Sequence, residues 1–301
     1  MHAGGYSGNC GDDDAAKELN VQVSPNSVAV LGFHDGSAGQ VATWFEATTG
    51  DYIACFVHEA TEPLEVDVEA ENRKRVSQRT EFPTFTSFMG RPFVVSLNWI
   101  ERLLDFGIRN ILPLTPNNRD RMRQTEPCRR HGLELVSAIH PSVTVLPGAT
   151  IEDGVWINTG SIIGYKAELQ AGVFINTGAQ IDRHNVLERC CQVDPGVVTA
   201  GNVTLRECCH VHTGATLINR VEIGADAIVG AGAVVIDNIP PKTTSVGVPA
   251  NVVKHHSCSG RLREADRESW VTSQSGPVDL VDGLVVYGFR VEKQGLWSRD
   301  L

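Results

Sequence analysis

The segment VWINTGSIIGYKAELQAGVFINTGAQI, residues 155–181, decides the fold because it places an aliphatic side chain at every sixth position. The same spacing extends from Ile139 to Val235, and sixteen of the seventeen positions are Ile, Leu or Val. The exception is Thr199. Two residues before most of these positions the side chain is small, so each group of six offers one large and one small inward-facing residue.

A period of six fits neither regular element on its own. An α-helix repeats its apolar face every 3.6 residues, and a strand repeats every two residues. A short strand followed by a turn does fit, and three such units close one triangular coil of about 18 residues. The sequence therefore predicts a parallel β-helix of roughly five coils between residues 139 and 235.

The cysteines follow the same repeat. The adjacent pairs Cys190-Cys191 and Cys208-Cys209 are one predicted coil apart, so we expect them to stack on neighbouring coils with the second member of each pair inside. Eight cysteines in 301 residues are too few for a disulfide scaffold, and none has zinc-finger spacing. A structural role is favoured over a redox or metal role.

Charge and hydropathy exclude several classes of partner. The chain has 36 acidic and 26 basic residues and a formal net charge of −10, whereas nucleic acids and anionic membranes attract basic surfaces. No apolar run reaches the ~18 residues of a membrane span, and the first residues lack the pattern of a secretion signal. We therefore expect a cytoplasmic protein with no nucleic-acid or membrane partner.

The residues before the repeat suggest a second, smaller domain. Residues 1–25 are polar and we expect a flexible tail. Strand patterns alternate with helical patterns after it, which indicates a small parallel α/β domain. The expected strands are 27–31, 52–57, 93–97 and 110–114, and the expected helices begin near Gln40 and cover 99–106 and 119–131.

A glycine-rich turn follows the first expected strand. The stretch GFHDGSAG, residues 32–39, lies between that strand and a helical segment, an arrangement that can bind phosphate at the helix N-terminus. Gly32, Gly36 and Gly39 are therefore candidate substrate-binding residues. A tight turn without a binding role remains open, because a glycine-rich turn alone is weak evidence.

Four motifs connect the repeat to a known family. They are NTGAQID at 176–182, TAGNVTL at 199–205, GADAIVGAGAVV at 224–235 and SVGVPANVV at 245–253. This pattern resembles the left-handed β-helix acyltransferases that use acyl-CoA, and most closely those that acylate sugars, typified by the bacillosamine N-acetyltransferases and the sialic acid O-acetyltransferases.

The resemblance implies a fold and an assembly. It implies a Rossmann-like α/β domain over 26–138, a left-handed β-helix over 139–254 and a homotrimer with active sites between neighbouring subunits. Such proteins commonly end soon after the Val-Pro-Ala segment, whereas 47 residues follow Lys254 here. Residues 278–291 have the pattern of a hairpin with Asp282-Gly283 at the turn. The extension 255–301 could cap the β-helix, shield an edge or extend the acceptor pocket.

The resemblance also implies a chemistry, namely transfer of an acetyl group from acetyl-CoA, or of another short acyl group, to the amine of a nucleotide-linked amino sugar. The family's catalytic base is a histidine in an Asp-His-Asp/Glu segment. The matching segment here reads Asp182-Arg183-His184-Asn185, so arginine occupies the position of the base. Gln192 occupies the position of a second family histidine.

Three hypotheses follow from this departure. His184 itself serves as the base, since an imidazole has a pKa near working pH. Alternatively, orientation of an already neutral amine suffices without a protein base. Finally, the site is degenerate and the protein is a binding or scaffold protein. Arg183 and Asn202, which the repeat places beside His184, are candidate substrate contacts.

The remaining site residues come from the resemblance. It implies that Gly201 offers its backbone N–H to the thioester carbonyl. It also implies that CoA lies along an edge of the β-helix, and it assigns that cofactor to Gly201, Gly214, Gly232, Val248, Pro249 and Ala250.

One rival belongs to another class. His210 and His212 flank the inward Val211 and both point outward, so together with His184 they raise the alternative of a γ-carbonic-anhydrase-like zinc enzyme. The spacing of these histidines differs from that family's, and the transferase hypothesis assigns no metal ligand.

Overall fold

The computed structural model describes residues 21–32, 35–59, 87–96, 98–256, 279–281 and 284–286, so most of the expected tail lies outside the described residues. The first six strands are β1 Ser27–Leu31, β2 Tyr52–Glu59, β3 Ser87–Phe88, β4 Arg91–Ser96, β5 Asn110–Pro113 and β6 Glu134–Leu135. They form one sheet in the order β3-β4-β2-β1-β5-β6, and every pair is parallel except β3 with β4.

The helices around this sheet differ in two places from the sequence expectation. The described helices are α1 Asp35–Ala42, α2 Phe45–Thr49, α3 Trp99–Asp105 and α4 Asn118–Thr125, with a 3-10 turn at Arg129–His131. The first helix begins at Asp35 and not near Gln40, so it includes Gly36 and Gly39. The expected helix 119–131 is broken after Thr125, because Pro127 has no N–H to continue the hydrogen-bond ladder.

Strand β1 forms the centre of the sheet because it is apolar on both sides. All five of its residues are buried, and alternate side chains enter different cores. Ala29 and Leu31 pack with helix α3, whereas Val28 and Val30 belong to a core that also contains Trp156 and Phe174 of the repeat region. One face of the sheet therefore packs against α3. The core on its other face also contains residues of α1, α2 and the β-helix.

The repeat region is a three-sided parallel β-helix, as the six-residue period predicts. Each strand from β7 to β23 has two residues and ends on one of the seventeen periodic positions. These strands are β7 Ala138–Ile139, β8 Thr144–Val145, β9 Thr150–Ile151, β10 Trp156–Ile157, β11 Ile162–Ile163, β12 Glu168–Leu169, β13 Phe174–Ile175, β14 Gln180–Ile181, β15 Val186–Leu187, β16 Gln192–Val193, β17 Val198–Thr199, β18 Thr204–Leu205, β19 His210–Val211, β20 Thr216–Leu217, β21 Glu222–Ile223, β22 Ile228–Val229 and β23 Val234–Val235.

Three sheets form the faces of this prism. The first face contains β7, β10, β13, β16, β19 and β22, and it continues into β24 Thr243–Val246 and β25 Asn251–His255. The second face contains every third strand from β8 to β23, and the third face every third strand from β9 to β21. Each strand pairs with the strand one coil later, as in the pairing of Ile157 with Ile175.

Columns of residues with positive φ mark the three edges of the prism. We call the turn between the first and second faces the first edge, the turn between the second and third faces the second edge, and the turn between the third and first faces the third edge. The columns are Gly160, Gly178, Gly196, Gly214 and Gly232 on the first edge, Gly148, Lys166, His184, Asn202 and Arg220 on the second edge, and Gly154, Gly172, Cys190, Cys208 and Asp226 on the third edge.

The interior is the apolar core that the pattern predicts. From Ile157 onward every periodic residue is buried, and the small residues two positions earlier pack against them. Cys191 and Cys209 are in this interior, which confirms the expected stacking of the cysteine pairs. The first coil is the exception: Val145 is 45% exposed because no coil precedes it.

Two polar residues break the interior pattern and bind each other. Thr199 occupies a periodic position and Asn185 occupies a small-residue position, and both are buried. The Asn185 side-chain amide donates to Thr199 Oγ1 at 2.5 Å, while its carbonyl oxygen accepts from the Val203 N–H at 2.7 Å. Thr199 Oγ1 also accepts from the Asp182 N–H at 3.1 Å. The pair therefore fixes the turn that carries Arg183 and His184.

Helix α4 fastens the first sheet to the third edge. Arg121 is completely buried, and its guanidinium donates to the carbonyls of Gly172 and Cys190, each at 2.9 Å, and lies 3.8 Å from the centre of the Phe174 ring. Burial lowers its pKa, since its partners here are neutral. Asn118 donates to the carbonyl of Cys208 one coil further on.

The C-terminal extension is described only in part. Strands β26 Asp279–Val281 and β27 Leu284–Val286 pair antiparallel, as the predicted hairpin requires, and the turn residues between them lie outside the described residues. Within the described part of the chain, no helix has the length and apolar character needed to cross a membrane.

The inward assignment of the periodic positions can be tested with neighbouring residues. Leu187→Ala should lower the free energy of unfolding by about 2–5 kcal/mol, because the side chain is fully buried and the change leaves a cavity. Val186 beside it points outward and is only partly buried, so Val186→Ala should cost less than about 1 kcal/mol. Chemical denaturation measures both values, and equal losses would contradict the assignment.

The buried polar pair gives a second prediction. Thr199→Val should lower the free energy of unfolding by about 1–3 kcal/mol, because the buried side-chain amide of Asn185 and the backbone N–H of Asp182 then lose their common acceptor. Thr204→Val, an outward position on the third face, is the control and should stay within about 0.5 kcal/mol of the parent. A stabilised Thr199→Val variant would show that the pair is not needed.

Candidate active site

The second edge brings the predicted catalytic residues together. His184 and Asn202 occupy equivalent positions in successive coils, since each has positive φ and each donates its N–H to a carbonyl one coil earlier, that of Tyr165 and that of Arg183. Gly201 precedes Asn202 and accepts a hydrogen bond from the Arg220 N–H. The register of the coils thus aligns these residues along one edge.

His184 is an exposed residue on this edge. Its ring meets the Tyr165 ring edge-to-face, with 5.6 Å between the centroids. In the described part of the chain no ion pair joins it to a carboxylate. The ring is accessible to a substrate, and an aromatic contact supports its orientation in place of the acidic partner that many histidine bases have.

Gly201 and Arg183 lie against each other. A Cβ atom added to Gly201 would be 3.1 Å from the guanidinium carbon of Arg183, which also forms an ion pair of 3.0 Å with Asp182. The Gly201 N–H donates to Asn219 Oδ1 at 3.2 Å. A thioester carbonyl would therefore have to replace Asn219 as the acceptor, and Arg183 would have to move aside.

The predicted CoA residues occupy a different edge. Gly214 and Gly232 belong to the first edge, where a Cβ atom on either glycine would meet open space. The Val248–Ala250 segment continues this edge, because the Ala250 N–H donates to the Val234 carbonyl, and Val248 is 72% exposed. The structure therefore groups these residues with one another and leaves Gly201 on the second edge.

Gly32 has a packing role in the first sheet. Its φ is +79°, and a Cβ atom there would lie 2.2 Å from Thr115 Oγ1 and 2.4 Å from Thr115 Cα. No side chain can be accommodated at this crossing of the chain. Gly36 and Gly39 lie in helix α1, and a Cβ on Gly39 would be 3.7 Å from the Phe88 ring.

A polar network lies at the carboxyl ends of β1, β2 and β5. Thr115 donates to Gln124 Oε1 at 2.6 Å, and the Gln124 amide donates to Glu59 at 2.8 Å. Arg123 forms two hydrogen bonds with the same carboxylate. The hydrogen bond from Arg123 is the main reason that the pKa of Glu59 is lowered. The sequence analysis did not single out these residues, because only the sheet order brings them together.

A second cluster of functional side chains lies on the first face. Asp194 Oδ2 is 3.0 Å from His210 Nε2 and 3.0 Å from His212 Nδ1. Burial raises the pKa of the Asp194 carboxyl, but the two imidazoles outweigh it and hold that pKa well below its usual range. His184, the third member expected for a zinc site, is not part of this group. Asp194 could have been found from the sequence, since it lies one predicted coil before His212.

Comparisons with known proteins agree with the fold and motifs. No protein-family model matches the chain, and no curated protein matches it in sequence. Among solved structures, PerB from Caulobacter crescentus in complex with CoA and GDP-perosamine is 28% identical, with a TM-score of 0.65 over 77% of this chain and 100% of PerB.

A second similar structure is the acetyltransferase domain of PglB from Neisseria gonorrhoeae, solved in complex with acetyl coenzyme A. It is 27% identical, with a TM-score of 0.60 over 76% of this chain and 99% of that domain. Both matches cover almost the whole length of the neighbour. The resemblance to the hexapeptide-repeat sugar acyltransferases that the sequence indicated is therefore confirmed.

Proposed function

We propose that this protein transfers an acetyl group, or another short acyl group, from acyl-CoA to the amine of a nucleotide-linked amino sugar. The observation that carries the proposal is the three-sided β-helix together with the match of 77% of this chain to a perosamine N-acetyltransferase crystallised with CoA and GDP-perosamine. Acylation of nitrogen is favoured over acylation of oxygen for the same reason.

The first edge is the proposed CoA-binding surface. Gly214 and Gly232 present backbone without side chains, so an extended pantetheine arm can approach closely. The exposed turn formed by Val248, Pro249 and Ala250 lies at the end of this edge, where it would meet the adenine end of the cofactor. These contacts are made by backbone and shape, which suits a long flexible ligand.

The acceptor would bind beside the first sheet, which we interpret as a Rossmann-like domain. The chain passes from β1 to β2 and β4 on one side and then returns to β5 on the other side of β1. Ligands of parallel α/β sheets bind where the strand order reverses in this way. Gly32 lies at this point and α1 begins at Asp35, so Gly32, Gly36 and Gly39 remain the proposed contacts of the nucleotide.

The proposed reaction uses two groups of the second edge. The acceptor amine attacks the thioester carbonyl carbon, a C–N bond forms and the C–S bond to CoA breaks. His184 takes the proton that the nitrogen loses and passes it to the departing thiolate. The Gly201 N–H donates to the carbonyl oxygen as negative charge develops there. Arg183 and Asn202 border this site and would contact the acceptor.

A homotrimer would complete the site between neighbouring subunits. Five outward-facing aliphatic side chains, in the strands of the second face or directly after them, are exposed in the single chain, which is the composition expected of a surface that another copy covers. These residues are Leu146, Ile162, Val198, Ile218 and Ile236. The second face lies between the edge with Gly201 and the edge with Gly214, so a neighbour packed there would adjoin both.

One observation favours the scaffold alternative. Arg183 occupies the position of the family's base and lies over Gly201, whose N–H already has a partner in Asn219. An arginine cannot accept a proton at physiological pH. This arrangement is the one we expect of a protein that binds CoA and a nucleotide sugar but does not catalyse acyl transfer.

The main test is release of CoA thiol by the full-length protein. With acetyl-CoA, nucleotide-linked amino sugars should give thiol release above background, and the matched nucleotide sugars with hydroxyl in place of the amine should not. A chromogenic disulfide measures the thiol, and calorimetry measures CoA binding in parallel. CoA binding without thiol release on any acceptor would establish the scaffold alternative.

The role of His184 has its own test. His184→Asn should lower kcat by roughly 10²-fold or more and leave the KM for acyl-CoA unchanged, because it removes the base but not the binding surface. Asparagine is chosen because the position has positive φ, which asparagine tolerates better than alanine. His131→Asn, an exposed histidine near the first sheet, is the control. An unchanged kcat in His184→Asn would remove His184 from the mechanism and favour an amine that reacts without a protein base.

A further inference from the structure

The cluster on the first face brings three potential metal ligands to one point. His210 and His212 flank the inward Val211, so both imidazoles leave the same side of strand β19. The strand before it is one coil earlier and in register, with Gln192 opposite His210, which puts Asp194 opposite His212. The carboxylate and the two rings therefore meet on a hydrogen-bonded part of the prism, where the backbone holds them in place.

The distances between the three ligand atoms are short enough for one cation to bind all of them. Two ligand atoms each about 2.1 Å from one metal ion are separated by about 3.0 Å at a right angle and by about 3.4 Å at the tetrahedral angle. Asp194 Oδ2 is 3.0 Å from each imidazole nitrogen, and the three ligand atoms all lie within 4.8 Å of one another. His210 Nε2 is buried. Although it lies 3.0 Å from Asp194 Oδ2, it has no hydrogen bond with suitable geometry among the described residues.

We propose that Asp194 Oδ2, His210 Nε2 and His212 Nδ1 form a binding site for a divalent transition-metal ion, with Zn²⁺ as the preferred occupant. Two imidazoles and one carboxylate are the ligands such ions favour, whereas Mg²⁺ and Ca²⁺ favour sites made of oxygen. Three protein ligands leave at least one coordination position for water or a small oxygen or nitrogen ligand. The site differs from the trio considered from the sequence, because Asp194 takes the place of His184.

Neighbouring amides support the carboxylate from behind. The Gln192 side-chain amide donates to Asp194 Oδ1 at 2.9 Å, and the Asn176 amide lies 3.5 Å from the same oxygen. These contacts use the oxygen that faces away from the histidines and leave Oδ2 for the ion, which is how outer groups orient a metal ligand.

The cluster is also accessible enough to exchange a metal. The side chains of Asp194, His210 and His212 are 15%, 25% and 38% exposed. An ion can therefore enter from solvent while most of the site stays covered. The acyl-transfer step described above uses none of these three side chains, so the metal proposal does not rest on it.

Metal binding can be measured on the full-length protein prepared without a histidine tag and stripped with a chelator. We expect about one Zn²⁺ per chain, with a Kd below about 1 μM by calorimetry, and visible absorption bands when Co²⁺ is added. Asp194→Asn keeps the shape of the side chain and removes its charge, so it should weaken Zn²⁺ binding at least tenfold. His212→Gln should do the same.

The control is His140→Gln, an outward histidine on the same face whose ring contacts Ser142 and Trp44. It should bind Zn²⁺ like the parent protein, and circular dichroism should show that all variants are folded. If one of the two cluster variants fails to fold, Zn²⁺ binding by the other variant decides the test. No Zn²⁺ binding by the parent at about 10 μM protein, or equal binding by parent and cluster variants, would overturn the proposal. The cluster would then be a hydrogen-bonded group only.

Discussion

The register that pairs each strand of the β-helix with the strand one coil later is the constraint on which the rest of the structure depends. It converts distance along the chain into position on the prism, so residues one coil apart share a face, an edge or the interior. A slip of one residue would exchange inward and outward side chains throughout. The same constraint aligns His184 with Asn202 and places Asp194 beside His212, so both candidate sites depend on it.

The turn at His184 differs from most other turns of the prism because buried polar side chains lie beneath it. An unpaired hydroxyl or amide in this core would cost about 1–3 kcal/mol. Thr199 and Asn185 remove that cost by binding each other and the backbone of residues 182 and 203. The prism thus has polar support directly beneath Arg183 and His184, whereas most other inward positions in the well-covered coils are aliphatic or small.

Much of the fold could be predicted from the sequence, because periodicity reports on local burial. The seventeen short strands and the cysteine stacking follow from it, and the buried strand Ser27–Leu31 follows from its continuous apolar run. The start of helix α1 was missed because its glycines were interpreted as a turn, and the break at Pro127 was missed within a helical pattern. Docking of Arg121 on Gly172 could not be predicted, since contacts between two separately folded layers leave no period in either one.

The residues proposed for the acyl-transfer site lie on two different edges of a single chain. The proposed oxyanion donor Gly201 lies on the second edge, while Gly214 and Gly232 lie on the first, and the second face separates them. A neighbour that covered the exposed aliphatic residues of that face would border both of these edges. Contact with such a neighbour would also change the surroundings of Arg183 and Asn219, which cover Gly201 in the isolated chain. Assembly and exposure of the Gly201 N–H are therefore expected to depend on the same surface.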